Sequence, residues 1–297
     1  MEVVSTPAIS LNTKSTINDI FSREKESEWN GSFCMIQGAD TQLGMIEEYL
    51  EHKPNPGWQK EIELTRQAVS AANRMNPKPR FFIVCGDLVH ASPGKSHKEA
   101  QEKDFIKLFS ELDSDIPLVC VCGNHDIGNT PTHQSVQNYK ATFGDDHFSF
   151  WVGGVHCIVL NSQFFKDASQ VPDLLEEQDA WLDAELKQTG FQHRIVFQHI
   201  PWFLHEADEE DDYFSVDLRV RMRYLDKFKA HGVRTIFSGH YHRNAGGWFG
   251  EMEAPVTSAI GAQLGNDSSG MRVVTVTEDE VLHKYYALGD VPTKVDL

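Results

Sequence analysis

Short apolar runs recur along this chain, and they constrain its fold more than any other feature of the sequence. Near-continuous runs of this kind, separated by helical segments, are typical of strands whose two faces are both covered in an α/β domain. The runs are FCMI (33–36), FFIVC (81–85), IPLVCVC (116–122), HCIVL (156–160), RIVFQ (194–198) and RTIFS (234–238). We therefore expect buried strands with helices packed over them.

Helical periodicity fills much of the sequence between these runs. Apolar residues recur at helical spacing in four segments, which are 64–75, 99–113, 174–189 and 218–228. Pro172 lies near the start of the third segment, where proline suits the first turn of a helix, and Gly232 supplies a stop for the fourth. Later in the chain, segments 271–277 and 281–288 predict two strands of a β-hairpin.

The length of the chain, 297 residues, allows one large α/β domain or two smaller ones. The sequence has no internal repeat and no low-complexity linker, so a single domain over residues 31–297 is the simpler prediction. The first 30 residues are polar and lack clear periodicity, which predicts a flexible N-terminal arm.

The formal net charge of −17 argues against nucleic acid or an anionic membrane surface as a partner. No apolar run reaches the length of about 18 residues that a membrane-spanning helix needs, and no basic segment followed by an apolar one marks a secretory signal. The five cysteines lie within apolar runs, which favours buried free thiols in a reducing compartment. We therefore expect a cytoplasmic protein, and we expect a monomer.

Residues of the metal-binding type follow five of the apolar runs, where each predicted strand ends. They are Asp40 and Gln42, Asp87, Asn124 with His125 and Asp126, His199, and the pair His240 and His242. Open α/β sheets place their sites at the carboxyl ends of strands, so we expect these side chains to meet. One aspartate in such a place is usually a cap or a turn residue, but five coincident cases, three of them preceded by glycine, predict a shared site.

This set of side chains suits two divalent cations. Carboxylates bring charge, imidazoles bring nitrogen ligands, and an amide oxygen completes a coordination shell. One carboxylate can bridge two ions about 3.5–4 Å apart, the arrangement used for in-line displacement at phosphorus. The pattern therefore predicts a phosphoester hydrolase in which a metal-activated hydroxide attacks and another group protonates the leaving oxygen. Bound cations would also invert, near the site, the negative field of the whole chain.

The motifs that carry these residues resemble those of a known family. The chain resembles the calcineurin-like metallophosphoesterase superfamily in five motifs, which occur in the family's order: GADTQ (38–42), GDLVH (86–90), GNHD (123–126), QHIPW (198–202) and GHYH (239–242). Longer strings, among them NPKPRFFIVCGDLVHASPGK and FSGHYHRNAGG, resemble a branch classed as protein serine/threonine phosphatases.

The resemblance implies a four-layer α/β/β/α sandwich with the site at the carboxyl ends of the strands. It assigns a first ion to Asp40, Asp87 and His242, and a second ion to Asp87, Asn124, His199 and His240. It also implies that His125 protonates the leaving oxygen, and that Asp126 fixes the orientation of the His125 imidazole.

The first motif departs from the family's usual pattern. Asp-x-His is usual there, whereas this chain has Asp40-Thr41-Gln42. The neutral amide oxygen of Gln42 should weaken the first site and shift its preference from zinc or iron toward manganese or magnesium. Alternatively, Gln42 only hydrogen-bonds a metal-bound water. We therefore expect two divalent metal ions (Mn, Mg, Fe or Zn), with Mn or Mg favoured.

Three functions are compatible with these motifs. The first is a phosphomonoesterase acting on phosphorylated proteins, the second is a phosphodiesterase acting on cyclic nucleotides or other small diesters, and the third is a non-catalytic scaffold. The branch resemblance favours the first.

Two further features have two interpretations each. His90 either contacts the substrate phosphate or is a surface histidine. The acidic run at 208–212 is either a solvated loop or a lip that prefers basic residues around the phosphorylated serine or threonine.

Overall fold

The structure is a computed structural model, which describes residue 17 and residues 19–297. Within this range the strands are β1 Phe33–Gly38, β2 Phe82–Cys85, β3 Leu118–Val121, β4 Phe148–Val152, β5 Val155–Val159, β6 His193–Phe197, β7 Val233–Phe237, β8 Ala245–Phe249, β9 Met252–Val256, β10 Gly270–Val276 and β11 Val281–Ala287. They form a five-stranded sheet of order β11-β10-β1-β2-β3 and a six-stranded sheet of order β4-β5-β6-β7-β9-β8.

The helices connect the strands and cover the sheets. They are α1 Arg23–Glu26, α2 Gln59–Asn73, α3 Lys98–Phe109, α4 Asn124–Ile127, α5 His133–Phe143, α6 Gln163–Lys166, α7 Pro172–Glu185 and α8 Leu218–Ala230, with a π-helical turn at Ile46–Leu50 and a 3₁₀ turn at Leu288–Asp290. In the part of the chain that the structure describes, none of the helices is long and apolar enough to cross a membrane.

Parallel pairing aligns the strand ends that carry the polar motifs. Strands β1, β2 and β3 run parallel in the first sheet, and strands β5, β6 and β7 run parallel in the second. The carboxyl ends of each set therefore lie along one edge of its sheet. The antiparallel pairs β1–β10 and β10–β11 extend the first sheet on its other side.

Apolar side chains are buried at three interfaces between layers. Helices α2, α3 and α5 cover the outer face of the first sheet, the two sheets pack on each other, and α7 and α8 cover the outer face of the second sheet. Within β1, Met35 faces the second sheet whereas Ile36 faces the helices. Because both faces are covered, the strand sequence is apolar throughout, and the predicted four-layer sandwich is confirmed.

The structure confirms the six apolar runs as strands β1, β2, β3, β5, β6 and β7, the hairpin as β10–β11, and the four periodic segments as α2, α3, α7 and α8. The sequence patterns miss β4, β8, β9 and α5. Strands β8 and β9 are short and contain Gly246 and Pro255, which lie opposite each other and are residue types depleted in strands. Helix α5 buries few apolar residues, and its clearest signal is the N-cap at Thr132, whose side chain accepts from the N–H of Ser135.

The predicted N-terminal arm falls partly on residues 1–16 and 18, which lie outside the described residues. The remaining part contacts the sheets. Phe21 is buried, with its ring centroid 6.0 Å from that of Phe150. The Glu26 carboxylate accepts from Arg80 at 2.8 Å and from the N–H of Gly153 at 2.7 Å. Within residues 19–30, Phe21 and Glu26 therefore pack against the rest of the protein, whereas a flexible arm would make no such contacts. A single domain over residues 31–297 stays a prediction.

The interface between the two sheets should dominate stability, and Phe81 tests this. The Phe81 ring is fully buried there, with its centroid 5.3 Å from that of Phe150 and 6.2 Å from that of Phe197. Phe81→Ala leaves a cavity, so we expect the free energy of unfolding to fall by about 3–5 kcal/mol in urea denaturation. Leu282→Ala, at a half-exposed position of β11, is the control and should cost less than about 1 kcal/mol. Equal losses in the two variants would contradict this account.

Candidate metal centre

Loops at the carboxyl ends of the strands bring the predicted site residues together. Asp40, Gln42, Asp87 and Asn124 follow strands of the first sheet, and His199, His240 and His242 follow strands of the second. Each of these seven residues is at most 5% exposed. The facing edges of the two sheets thus form one buried polar cluster, which we call the ligand cluster.

Most residues of the ligand cluster have a backbone conformation that L-amino acids rarely adopt. Positive φ angles occur at Asp40 (50°), Gln42 (36°), Asp87 (48°), His240 (69°) and His242 (52°). Among the other non-glycine residues that the structure describes, only His52 has one. Such a conformation costs about 1–3 kcal/mol and persists only where the surroundings impose it. Its concentration in one cluster indicates a functional site.

Close approach of the loops explains two of the glycines that precede the polar residues. A Cβ at Gly86 would overlap the ring of His199, and a Cβ at Gly123 would overlap the backbone and carboxylate of Asp87. Gly86 also has a φ of +83°, which glycine adopts without strain. The absence of a side chain at Gly86 therefore lets the two sheets approach at this edge, and its absence at Gly123 lets the loops after β2 and β3 approach within the first sheet.

Two groups of side chains have ligand atoms close enough to share a cation. Asp87, His199 and His240 form one group, and Asp40, Asp87 and His242 form the other; within each group the ligand atoms lie within 4.8 Å of one another. Asp87 belongs to both groups. The Oδ1 atom of Asn124 lies 3.1 Å from His199 Nε2, at the side of the first group. The structure therefore brings these predicted residues together around one shared carboxylate.

Main-chain carbonyl groups fix two of the imidazole rings. His199 Nδ1 donates to the carbonyl oxygen of Cys85 at 2.8 Å, and His242 Nδ1 donates to that of Ala262 at 2.6 Å. With the ring proton held at Nδ1, the lone pair of each Nε2 atom is directed into the ligand cluster. This is the tautomer in which imidazole binds a metal through Nε2.

Several potential ligand atoms converge in the ligand cluster. Asp87 Oδ1 and Asn124 Oδ1 lie 3.4 Å and 3.1 Å from His199 Nε2, so these three atoms could bind one cation together. In the described part of the chain, Asp40 Oδ1 and Gln42 Oε1 are buried without a hydrogen-bond partner. Buried acceptors in this state are costly. The donor set and its unpaired oxygens therefore fit divalent metal ions.

The charges in the ligand cluster favour a bound cation as well. Burial alone would lower the pKa of His199, but the Asp87 carboxylate opposes burial and raises the pKa to about 9. Burial is likewise outweighed at His242, where Asp40 raises the pKa. Burial would raise the pKa of Asp87, but chiefly the charge of His199 lowers it. Burial, together with His199, holds the pKa of His240 well below its usual value. The Asp87 carboxylate therefore stays ionised and attracts positive charge.

His125 lies beside the ligand cluster at the end of β3. Its backbone N–H donates to Asp87 Oδ1 at 2.8 Å. Its ring Nδ1 is hydrogen-bonded to the main-chain carbonyl oxygen of His90, and the two imidazoles stack with centroids 4.8 Å apart. The ring of His125 is therefore oriented by the backbone of the loop after β2.

Asp126 does not orient the His125 ring, so that prediction is wrong. The Asp126 carboxylate accepts from the N–H of Gly123 at 2.7 Å and from that of Leu88 at 3.1 Å, while Lys98 Nζ lies 3.9 Å away. It points back toward the start of α4 because its side chain caps the turn that follows β3. Asp126 therefore joins the loops after β2 and β3, and the His90 carbonyl has the role that the sequence predicts for Asp126.

Comparison with known sequences adds a family to this geometry. A sequence profile described as "Calcineurin-like phosphoesterase" matches residues 39–244, which is more than half of the chain. The chain belongs to the calcineurin-like phosphoesterase family. It is similar to "Serine/threonine-protein phosphatase CPPED1" of Mus musculus, at 51% identity over 92% of this chain and 89% of the relative. It is also similar to the Homo sapiens protein of that name, at 51% identity over 92% and 90% of the two chains.

Solved structures of phosphoesterases share this fold. A purple acid phosphatase of Lupinus luteus superimposes with a TM-score of 0.65 at 12% identity, covering 90% of this chain and 53% of its own. A dimetal phosphatase of Danio rerio superimposes with a TM-score of 0.59 at 16% identity, covering 87% and 100%. At such low identity the likeness concerns the arrangement of strands and helices alone.

The loops of this phosphoesterase leave an open cavity of about 360 Å³ over the ligand cluster. Its rim is apolar and aromatic, and it consists of Met45, Tyr49, Tyr213, Phe214 and Leu264. The rings of Tyr213 and Phe214 lie 5.3 Å and 5.6 Å from that of His240. Among the described residues that line the cavity, none is lysine or arginine. The sequence patterns miss this rim because Tyr49 lies in a single π-helical turn, and Tyr213 and Phe214 lie in an irregular loop, so none of them belongs to a periodic pattern.

The acidic run at 208–212 is part of the loop that carries Tyr213. The Glu209 carboxylate accepts from the N–H of Leu204 at 2.6 Å, and Asp211 accepts from the N–H of Leu218 at 2.6 Å. Asp212 accepts from the N–H of Phe214 at 2.8 Å. These carboxylates thus shape the loop, and recognition of basic residues by the acidic run stays a prediction.

Metal binding should stabilise the folded protein measurably. Adding Mn²⁺ to metal-stripped protein should raise the Tm in scanning calorimetry, because a ligand of the folded state adds about 2.7 kcal/mol at 100 times its dissociation constant. Asp87→Asn should lose most of this rise, since Asp87 belongs to both ligand groups. Asp146→Asn removes a buried carboxylate outside the cluster and should keep the rise. The same rise in both variants would argue against a metal centre at Asp87.

Proposed function

We propose that this chain is a metal-dependent phosphomonoesterase that hydrolyses phosphoserine and phosphothreonine in proteins. The observation that carries the proposal is the pair of ligand groups that share Asp87, with His125 beside them. The substrate class is supported by the similar proteins of mouse and human, which are named as serine/threonine-protein phosphatases.

The proposal assigns the ligand cluster to two divalent ions. The first would bind Asp40, Gln42, Asp87 and His242, and the second would bind Asp87, Asn124, His199 and His240. When bound, the ions supply positive charge to the phosphate oxygens and acidify the attacking water. The amide oxygen of Gln42 favours Mn²⁺ or Mg²⁺ at the first position over Zn²⁺ or Fe.

His125 is proposed as the catalytic acid. Its Nδ1 atom is committed to the His90 carbonyl, so Nε2 is the atom that delivers a proton, and the side chain lines the cavity. A serine alkoxide leaves poorly without a proton, and proton transfer in the transition state contributes about 10²–10⁴-fold to the rate. Asp126 is proposed to have a structural role, because it joins the loops after β2 and β3 through the N–H groups of Leu88 and Gly123.

A phosphodiesterase is the second candidate. Among the described residues, no lysine or arginine lines the cavity, so histidines are the only side chains there that could carry positive charge. A phosphate monoester dianion needs more positive charge around it than a singly charged diester does, and the cavity therefore also suits a diester. A non-catalytic scaffold is the weakest candidate, since a binding surface needs neither the strained ligand conformations nor the buried unpaired oxygens.

The role of His125 is tested by the leaving group. His125→Asn should lower kcat/KM for a phosphoserine peptide by about 10²-fold or more, whereas p-nitrophenyl phosphate, whose leaving group needs no proton, should lose much less. Rates are measured with Mn²⁺, and His133→Asn on the exposed surface of α5 is the control. Equal losses on both substrates would exclude His125 as the acid.

The two enzymatic candidates are separated by substrate. The wild-type protein with Mn²⁺ should hydrolyse p-nitrophenyl phosphate faster than bis(p-nitrophenyl) phosphate, and it should release phosphate from a phosphothreonine peptide. Asp87→Asn should abolish each activity, which ties it to the ligand cluster. Faster hydrolysis of the diester would favour the phosphodiesterase.

A further inference from the structure

His90 contacts two different parts of the site through one short loop. Its ring Nδ1 lies 3.2 Å from Gln42 Nε2, and its ring stacks on that of His125 with an interplanar angle of 24°. Its backbone N–H donates to the carbonyl of Leu43 at 3.1 Å, so the loop after β2 is joined to the loop after β1. Gln42 is joined there as well, because its backbone N–H donates to the carbonyl of Asp87 at 2.9 Å.

In the structure the NH₂ group of the Gln42 amide faces His90. An amide NH₂ group only donates, so His90 Nδ1 is the acceptor and the His90 ring carries its proton at Nε2. The other end of the amide, Gln42 Oε1, is buried and has no hydrogen-bond partner among the residues described. Rotating the amide by half a turn would bring Oε1 to His90 Nδ1, and that contact would require the other tautomer of His90, with the ring proton at Nδ1.

Gln42 Oε1 belongs to a cluster in which Asp40 Oδ1 is also buried without a hydrogen bond, with His242 Nε2 3.4 Å away. A buried acceptor without a partner costs about 1–3 kcal/mol, and a cation bound between such oxygens removes that cost. An amide held at its NH₂ end alone leaves its carbonyl oxygen free to bind a cation, and a restrained ligand of this kind is typical of metal sites.

We propose that His90 is a positioning residue that holds the Gln42 amide so that Oε1 binds the first metal ion. The inference rests on the metal centre of the proposed function and deepens it, because it gives Gln42 a direct contact to the ion in place of the imidazole usual in this family. In the alternative, in which Gln42 only hydrogen-bonds a water, either end of the amide serves and the restraint by His90 has no consequence for the metal.

A double-mutant cycle on metal affinity tests this role. Gln42→Ala and His90→Phe should each weaken binding of the first Mn²⁺ ion, by about 10- to 100-fold, as loss of a partner that orients a ligand does. Phenylalanine keeps a flat ring beside His125 but accepts no hydrogen bond. Because His90 acts through Gln42, the double variant should bind Mn²⁺ no more weakly than Gln42→Ala alone. Binding is measured by calorimetry on metal-stripped protein without substrate.

Two further variants complete the test. Gln42→His supplies a ligand that needs no amide restraint, so adding His90→Phe to it should no longer weaken Mn²⁺ binding. His133→Phe removes an exposed histidine remote from the cluster and should bind as the wild type. Each variant must show the wild-type unfolding transition without metal before its affinity is compared.

The outcomes separate this inference from the proposed function. Unchanged affinity in His90→Phe, or a further loss when His90→Phe is added to Gln42→Ala, would overturn the role of His90 and leave the metal centre intact. Failure of the wild-type protein to bind Mn²⁺ would overturn the metal centre and this inference with it. The role of His90 would be established if His90→Phe weakens Mn²⁺ binding in the wild-type protein but not in Gln42→Ala or Gln42→His. That result does not depend on the substrate of the enzyme.

Discussion

The shared carboxylate of Asp87 is the group on which the site depends. A buried anion needs opposite charge or hydrogen bonds around it, and Asp87 receives them from the N–H of His125 and from the cations that it would share with histidines of the second sheet. These partners come from both sheets. The contact therefore requires the carboxyl edges of two independent sheets to meet, and the four-layer packing holds them there.

The strain in the ligand loops is the counterpart of that packing. Positive φ angles at Asp40, Asp87 and His242 would relax in an isolated loop, because each costs free energy that local contacts do not return. The interface between the sheets, with rings such as Phe81 and Phe197 buried in it, holds the strand ends rigidly enough to impose these conformations. The packing of the layers thus stabilises the protein, and part of that free energy offsets the strained backbone conformations of the ligand residues. Those conformations orient the ligand side chains in ways that relaxed loops would not.

How much of this was predictable from the sequence depended on whether a side chain was constrained by a repeated pattern. The strands around Ile36 were predictable because both of their faces are covered, and the positions of Asp87 and His240 were predictable because each follows such a strand. The orientation of Asp126 was not predictable, since adjacency to His125 in sequence does not say which way a capping side chain turns. The rim at Tyr213 comes from a loop whose shape depends on carboxylate-to-backbone hydrogen bonds that leave no periodic signal.

The use of carbonyl groups to orient imidazoles has a consequence for charge. Main-chain carbonyl groups accept hydrogen bonds from Nδ1 of His125, His199 and His242, so no carboxylate is needed to orient these rings. With two divalent ions bound as proposed, Asp40 and Asp87 are the only carboxylates among their ligands, so an excess of positive charge remains to attract a phosphate dianion. A carboxylate beside each of the three rings would cancel that excess. In a chain with a net charge of −17, attraction of a phosphorylated substrate therefore depends on keeping other anions out of this one cluster.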